Sequence, residues 1–271
     1  MTGKDAVFAG SIPALYDRHL GPLLFEPYAR DLARRVAALR PGRVLETAAG
    51  TGIVTAALAG ELPPAVALVA TDLNQAMVDH AATKPALKRV ELRQADALKL
   101  PFDDASFDVV VCQFGVMFFP DKIAGYREAR RILKPGGAFV FSVWDSLQHN
   151  PITRVVVEAA AARYPQNPPR FLARTPHGHH DPAVIRGDLA AAGFDPPVID
   201  TVTLPCRGSP EDPALGFCQG SPMRGEIEAL DPSGLAAATE AVAAAVRSAF
   251  GAGPIEAPMQ ALVVTVRKTG P

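Results

Sequence analysis

Two glycines and two acidic residues early in the chain have the types and spacing needed to hold a nucleotide-like cofactor. Gly50 and Gly52 follow a short apolar strand that ends in Glu46, and an apolar helix-like run begins at Ile53. Glycine has no Cβ, so the backbone there can approach a bound molecule closely. Asp72 stands just past a second apolar run, where a carboxylate can accept hydrogen bonds from ribose hydroxyls. The pattern predicts a cofactor site at the carboxyl ends of parallel strands.

Two cofactor classes use this layout, and one position separates them. The dinucleotide fingerprint G-x-G-x-x-G/A ends in a small residue that lets the helix pack closely on the strand. Read from Gly50, this chain gives Gly-Thr-Gly-Ile-Val-Thr, so Thr55 occupies the place of that small residue. The stretch fits better as E-x-[GA]-x-G-x-G, with Glu46 as its first residue.

On this motif and Asp72 the sequence resembles the class I S-adenosylmethionine-dependent methyltransferases, in particular the type 11 small-molecule group that includes the ubiquinone and menaquinone C-methyltransferases. Ala48 replaces the commonest glycine of the motif, and alanine still permits a close approach. The resemblance covers residues 12–143, and the edge strands more loosely. It implies S-adenosylmethionine as the cofactor, S-adenosylhomocysteine as the product, and an α/β fold with a doubly wound, mostly parallel seven-stranded sheet, an antiparallel edge strand and a helical cap over the C-terminal face.

Each part of such a cofactor has an expected partner. The ammonium suits Glu46, the ribose suits Asp72, and the adenine amino group suits Asp96, while Gln113 and Phe114 would lie beside the methionine part. In the family a tyrosine in the N-terminal lid often covers the cofactor, which is the role expected of Tyr16. The full set of expected cofactor residues is Tyr16, Glu46, Thr47, Ala48, Gly50, Thr51, Gly52, Asp72, Leu73, Met77, Asp96, Ala97, Leu98, Gln113 and Phe114.

The elements that must position these residues alternate between strand and helix. Short apolar runs predict strands at 43–46, 67–71, 90–94, 107–113 and 138–143, followed by edge strands at 198–204 and 261–267. Predicted helices connect them at 53–59, 74–82 and 122–133, and Gly136-Gly137 is expected to stop the last of these. Further helices are predicted at 182–192, capped by Asp181, at 213–219 and at 235–250, the last capped by Asp231 or Ser233 and ended by Gly251.

One methyltransferase domain over 1–271 is therefore expected. Its core comprises about 22–143 plus 181–204 and 259–268, with an N-terminal lid at 1–21 and caps at 144–180 and 205–258.

The composition of the chain argues against several classes of function. The chain has 27 basic and 28 acidic residues and no long basic run, so a nucleic-acid substrate is not expected. Three scattered cysteines without CxxC spacing argue against a disulfide framework or zinc site and fit a reducing cytoplasm. Neither a signal peptide nor an integral membrane segment is predicted. A homodimer is compatible with the sequence.

Methyl transfer from a sulfonium needs mainly alignment, because the leaving group is already activated. A general base is needed only if the acceptor must lose a proton, and His149 is the candidate by position. Trp144, Phe171, Cys218 and Met223 are expected to line an apolar pocket for a small acceptor, aromatic or quinone-like. The acceptor atom could be O, N or C.

A cluster of three histidines, His177, His179 and His180, suggests a metal site as one interpretation. No second ligand group is evident, so no metal is predicted and a polar loop leading into the next helix is the expected structure. Two other functions remain open at this point: an NAD-dependent oxidoreductase, against which Thr55 and Glu46 argue, and a non-catalytic protein that binds S-adenosylmethionine.

Overall fold

The protein folds around one seven-stranded sheet. The computed structural model describes residue 5, residue 8 and residues 10–270; residues 1–4, 6, 7 and 9 of the expected lid, and residue 271, lie outside this part. The strands are β1 (Arg43–Glu46), β2 (Ala67–Asp72), β3 (Glu91–Gln94), β4 (Phe107–Gln113), β5 (Leu133–Trp144), β6 (Val198–Gly208) and β7 (Ile255–Arg267). The α-helices are α1 (Ile12–Leu15), α2 (Glu26–Ala38), α3 (Ile53–Glu61), α4 (Gln75–Ala82), α5 (Lys122–Ile132), α6 (Pro151–Arg163), α7 (Phe171–Arg174), α8 (Pro182–Ala191), α9 (Glu211–Gln219), α10 (Met223–Leu230) and α11 (Leu235–Phe250).

The sheet order is β3-β2-β1-β4-β5-β7-β6. Strands β1 to β5 pair in parallel, and β7 runs antiparallel to both of its neighbours, one place in from the edge strand β6. The chain order reverses between β1 and β4, so their carboxyl ends form the switch point at which ligands bind in open α/β sheets. The predicted fold class is confirmed.

Alternate residues of the central strands enter two different cores. Val109 and Val111 of β4 belong to a cluster with α2 and α3, whereas Val110 and Cys112 belong to the larger cluster on the opposite face. This is the two-residue period of a strand that is covered on both sides. Burial on both faces fixes the register of β4, and with it the position of Gln113 at its end.

The N-terminal segment forms an unusual helix over the carboxyl ends of the strands. Tyr16–Phe25 is a π-helix that continues α1 and runs directly into α2. Pro22 lies inside it and has no backbone N–H to give to a helical hydrogen bond. π-Helical turns of this kind are frequent at functional sites. From here on we call this π-helix the lid; it overlaps the lid expected at 1–21 only over residues 16–21.

Three strand ends differ from expectation, one in the core and two in the second cap. β5 begins at Leu133, so α5 ends at Ile132 and the glycine pair 136–137 lies inside β5 rather than ending the helix. β6 and β7 extend to Gly208 and back to Ile255, so the two ends of the expected 205–258 cap are strand.

Helices α6 and α10 were not predicted, whereas α11 has the predicted bounds. Its N-cap is Gly234 rather than Asp231 or Ser233, because the Ser233 hydroxyl contacts Asp231 instead. Gly251 ends α11 as expected. None of the described helices is both long and apolar enough to cross a bilayer.

Candidate functional site

A cavity lies at the carboxyl ends of the parallel strands, beneath the lid. It encloses about 1160 Å³ of space between protein atoms, part of it open to solvent. Most of its walls are apolar, with a few polar groups among them, which is the usual composition of a small-molecule site. Residues from the lid, the strand ends and both caps contribute to it.

The loop after β1 has a backbone that glycine favours. Ala48, Gly50 and Gly52 have φ of 51°, 56° and 80°, all in the left-handed region. A Cβ at Gly52 would lie 2.6 Å from Cδ1 of Leu87, so a larger residue does not fit there. Ala48 and Gly50 line the cavity, whereas Gly52 supports the loop as the N-cap of α3. Ala48 therefore bears backbone strain that the glycine commonly found there would avoid.

Asp72 ends β2 at the rim of this loop and lines the cavity. Its Oδ2 accepts from Gly50 N at 2.8 Å and its Oδ1 accepts from Asn74 N at 2.8 Å. Burial raises the pKa of Asp72, and these backbone donors counteract that rise. Oδ1 also accepts from Asn74 Nδ2, at a long 3.5 Å, whereas Oδ2 keeps a further lone pair with which Asp72 can accept a ribose hydroxyl.

Glu46 lies beneath the loop rather than in the cavity wall. It is 1% exposed, and its Oε2 accepts from the Thr55 hydroxyl at 2.6 Å. Burial raises the pKa of Glu46 to about 8. The expected contact with a cofactor ammonium would thus require water or a shift of the loop. Thr47 and Thr51 also lie outside the wall, with hydroxyls directed to Val111 O and to Asp17.

The turn after β3 forms one end of the cavity. Asp96 Oδ1 accepts from Leu98 N at 2.9 Å and closes the turn, and Asp96, Ala97 and Leu98 all line the cavity. Leu73 and Met77 line it from the β2 side, Leu73 with half of its surface exposed. A planar base could be sandwiched between these apolar side chains, with the second oxygen of Asp96 at its edge.

At the end of β4, the side-chain amide of Gln113 has a hydrogen-bond partner for its nitrogen but none for its oxygen among the described residues. Its Nε2 donates to Phe25 O at 3.1 Å, whereas Oε1 is buried and has no partner among the described residues. A buried acceptor without a partner is costly, so an unfilled amide oxygen in a cavity wall indicates a place for a ligand donor. Phe114 lines the cavity beside it, with φ of 51°.

The lid covers the cavity with the side chain of Tyr16 and is held in place by hydrogen bonds to the carboxylate of Asp17. Tyr16 lines the cavity and stacks on Phe25 with ring centroids 4.8 Å apart. The pKa of the Tyr16 hydroxyl is raised, mainly by burial and to a smaller extent by the charge of Asp72. The next residue, Asp17, accepts from Thr51 at 2.6 Å and from Lys84 at 2.5 Å. The lid is therefore hydrogen-bonded directly to the loop after β1.

The remaining wall is aromatic. Trp144, at the end of β5, stacks on Phe114 with centroids 3.8 Å apart and an interplanar angle of 5°. Phe171 also lines the cavity, as expected. Cys218 and Met223 are buried and lie outside the wall; burial raises the pKa of Cys218 to about 12, so its thiol stays protonated.

His149 does not reach the cavity. It lies in a short 3₁₀ helix after β5 with its side chain 55% exposed, and its Nδ1 is 3.3 Å from Ser146 Oγ. The structure instead places His177 in the wall, where it is 4% exposed. Nδ1 of His177 is 2.6 Å from the backbone oxygen of Asp145. A carbonyl can only accept, so Nδ1 carries the hydrogen and Nε2 of the neutral ring bears a free lone pair.

The histidines of the 177–180 segment do not converge. His179 contacts Tyr126 OH at 3.2 Å, and His180 Nδ1 lies 2.8 Å from His177 O. Within the described part of the chain no group of three or more His, Cys, Asp or Glu is arranged to hold a metal ion.

Several wall residues had not been singled out from the sequence. They belong to the lid, the segment after β4 and the caps: Leu20, Leu24, Phe25, Met117, Phe118, Phe119, Thr153, Leu172 and Pro176. His177, considered from the sequence only as part of a possible metal cluster, also lines the cavity. The aromatic pair at 118–119, a few residues after β4, is a signal that could have been used. Thr153 and His177 carry no local signal, because their place in the wall depends on how the caps pack.

Together these features suit an elongated ligand with a hydroxylated sugar, a flat base and a polar tail. In such a ligand the sugar would meet Asp72, the base would meet the 95–98 turn, and a donor of the tail would meet Gln113 Oε1. The aromatic residues around Trp144 line the same cavity.

Comparison with known proteins gives consistent relatives. Residues 45–141 match a family model described as "Methyltransferase domain". The chain is 41% identical over 115 residues to a demethylmenaquinone methyltransferase of Deinococcus radiodurans, covering 42% of this chain and 47% of that protein. It is 34% identical over 176 residues to the ubiquinone/menaquinone biosynthesis C-methyltransferase UbiE of Ectopseudomonas mendocina, covering 58% of this chain and 67% of that protein. The chain thus spans about half the length of the curated relatives it matches.

Solved structures match the fold over a greater length. The YcgJ protein of Bacillus subtilis aligns with a TM-score of 0.57 and 19% identity, covering 90% of this chain and 100% of that one. Phosphoethanolamine N-methyltransferase 2 of Haemonchus contortus, solved with S-adenosyl-L-methionine, aligns with a TM-score of 0.58 and 17% identity, covering 95% and 57%. At such identities the likeness concerns the fold alone.

Proposed function

Since the chain belongs to the class I S-adenosylmethionine-dependent methyltransferase family, we propose that it transfers a methyl group from S-adenosylmethionine to a small aromatic or quinone-like acceptor. One observation carries the proposal. Asp72, the 95–98 turn and the unfilled Oε1 of Gln113 line one continuous cavity whose other wall is aromatic.

The donor residues fit the proposed cofactor part by part. Asp72 would hold the ribose hydroxyls, Leu73 and Met77 would flank the adenine, and Asp96 would accept from its amino group. Gln113 Oε1 would accept from the ammonium, a role for which the buried Glu46 is less accessible. When bound, the cofactor supplies a methyl group that is already activated on a sulfonium.

The protein's own contribution is then positioning and exclusion of water. The stacked Phe114 and Trp144 rings, with Phe171 in the same cavity wall, offer a flat surface on which a planar acceptor can lie. Tyr16 and the lid cover the cavity from the other side. Proximity of this kind supplies much of the rate of a displacement reaction whose leaving group is already good. The names of the relatives favour a quinone-like acceptor.

Calorimetric titration with S-adenosylmethionine and S-adenosylhomocysteine tests the donor half. Asp72→Ala should abolish micromolar binding, whereas Asp103→Ala, at an exposed turn outside the cavity, should bind as wild type does. If wild type binds neither compound, the proposal fails. Binding of both with no methylated product from 1,4-naphthohydroquinone, phenols or amines, assayed by mass spectrometry, would favour a non-catalytic donor-binding protein.

A further inference from the structure

A pair of polar side chains stands in the aromatic wall of the cavity. Thr153 is 1% exposed, and its hydroxyl has no hydrogen-bond partner among the described residues. His177 contributes Nε2, for which no protein partner is found in the same part of the chain. The wall also contains the largely apolar Trp144, Phe171 and Leu172, and Ser221, whose hydroxyl already donates to Phe217 O. Thr153 and His177 therefore each offer a polar group to a molecule lying on this wall.

The two groups are held by a common anchor. The backbone oxygen of Asp145 accepts from His177 Nδ1 at 2.6 Å and from Asn150 Nδ2 at 3.0 Å. Asn150 is fully buried, and it also exchanges hydrogen bonds with Gln260 N at 3.0 Å and Gln260 O at 3.1 Å. It directly precedes α6, and Thr153 lies in the first turn of that helix. The Asn150 amide thus joins the segment after β5 to β7, bonds the carbonyl that orients the imidazole, and stands at the start of the helix that carries Thr153.

This anchor determines what the imidazole can do. Because Nδ1–H is committed to a carbonyl, the neutral ring offers Nε2 only as an acceptor. The threonine hydroxyl can donate to the same ligand atom, since a hydroxyl both donates and accepts. An acceptor nitrogen and a hydroxyl in an aromatic wall match a ligand with an aromatic hydroxyl group. The ligand hydroxyl would donate a hydrogen bond to the imidazole nitrogen, and its oxygen would accept one from the threonine hydroxyl.

We propose that His177 and Thr153 form a subsite that selects hydroxylated aromatic acceptors, with the ligand hydroxyl donating to Nε2 of His177 and accepting from Oγ1 of Thr153. This inference rests on the proposed function, and it names the acceptor class and the two residues that determine it. Full proton transfer is not required of the pair. Burial lowers the pKa of His177 to about 4, and a phenol has a pKa near 10, so transfer would be unfavourable by about six orders of magnitude. The pair orients the hydroxyl, and thereby the ring that bears it.

The chain supplies its own reporter for the test, because Trp144 is its single tryptophan and lines the cavity. Quenching of its emission by 1-naphthol should be compared with quenching by 1-fluoronaphthalene, which has nearly the same shape but no hydrogen to donate. Wild type should bind 1-naphthol about tenfold more tightly, the worth of one hydrogen bond to a buried acceptor. Equal affinities for the two probes would overturn the proposal.

Variants identify the residues. His177→Phe should remove the preference for 1-naphthol, and Thr153→Val should reduce it severalfold. His177→Gln, which keeps an amide oxygen as an acceptor, should recover part of it. His149→Gln should behave as wild type, and a loss of preference there but not in His177→Phe would contradict the assignment.

The donor site provides the separate check. Each variant should bind S-adenosylhomocysteine in calorimetry with wild-type affinity, which shows that the cavity is folded. If wild type prefers 1-naphthol but binds no S-adenosylhomocysteine, the subsite stands and the proposed function fails. If wild type binds S-adenosylhomocysteine without distinguishing the two probes, the subsite fails and the proposed function stands.

Discussion

The hydroxyl of Thr55, in the first turn of α3, donates to Oε2 of the buried carboxyl group of Glu46 at 2.6 Å. Thr55 is fully buried and Glu46 is 1% exposed, so neither group has water as an alternative partner. The position at which a dinucleotide site needs a small residue for close packing is thus occupied by a side chain with a specific partner. This contact explains the departure from the dinucleotide fingerprint in physical terms.

Removal of that hydroxyl should destabilise the fold. Thr55→Val keeps the shape of the side chain but leaves the Glu46 oxygen without its donor, which should cost about 1–3 kcal/mol of unfolding free energy. Urea denaturation measures it. Thr55→Ser keeps the donor and should lose less than half as much; equal stability of Thr55→Val and wild type would contradict the importance of the contact.

Glu46 should also make stability depend on pH. Its pKa of about 8 exceeds the ordinary value of 4.5, so the stability from its bound proton is complete below pH 4.5 and is lost as pH rises through 8. Burial raises the pKa of Asp72 in the same direction. Burial lowers the pKa of His177 and of His179 from 6.5 to about 4, so their contribution is instead lost as pH falls below 6.5.

Between pH 7 and 8 these two histidines are largely neutral in both the folded and the unfolded state, so the proton of Glu46 dominates the slope. The unfolding free energy should fall there by roughly 1 kcal/mol. Thermal unfolding at pH 7 and 8 should show this fall in wild type and a much smaller one in Glu46→Gln. The same slope in both proteins would assign the pH dependence to another group.

Gly115 should not tolerate a side chain. A Cβ there would lie 2.6 Å from Ala48 Cβ and 2.6 Å from Cys112 Sγ, so the loops after β1 and β4 would have to separate. Gly115→Ala should cost about 1–3 kcal/mol and weaken binding of S-adenosylhomocysteine. Ala48→Gly in the same chain removes one of the two clashes and should recover part of both losses, as measured in a double-mutant cycle. Strict additivity would show that the two positions do not meet.

Two buried threonines should respond in opposite ways to replacement by valine. Thr153 has no partner for its hydroxyl among the described residues, so Thr153→Val should leave the melting temperature unchanged or raise it. Thr239, 7% exposed, donates to Leu235 O at 2.8 Å and accepts from Gln219 at 3.1 Å. Thr239→Val should therefore lower stability by about 1–2 kcal/mol. A loss at Thr153 as large as that at Thr239 would indicate a partner within the fold.

The sequence predicted the half of the molecule in which local pattern and burial agree. Strands β1 and β4 have the predicted bounds, because continuous apolar runs bounded by polar turns leave few alternatives. Asp72 was predicted from its place after a buried strand, whereas Asp96 and Gln113 came from the family resemblance; all three line the cavity.

The last residues of β6 and the first residues of β7 were not predicted, because a proline in the sequence normally indicates the end of a strand. Pro205 and Pro258 lie directly opposite each other in the antiparallel pair, beyond the last β5 partner, Ala261. Neither can donate a ladder hydrogen bond, so they are accommodated together at a non-hydrogen-bonded pair of a two-stranded ribbon. Such a pairing depends on two residues far apart in the chain.

The acceptor side was predicted less well, for a similar reason. His149 and His177 look alike in sequence, each in a polar segment with little periodicity. In the fold α6 packs against α7 and β7, His177 after α7 is buried, and His149 just before α6 lies in solvent. Only the tertiary contact with Asp145 O distinguishes them.

The hydrogen bond from Thr51 to Asp17 has a kinetic consequence. It joins the loop that would cradle the donor to the segment that covers the cavity, so the cover is complete only when that loop is in place. A donor molecule held beneath Tyr16 would therefore leave only when this contact opens, so the strength of one hydrogen bond would limit how fast the cavity empties.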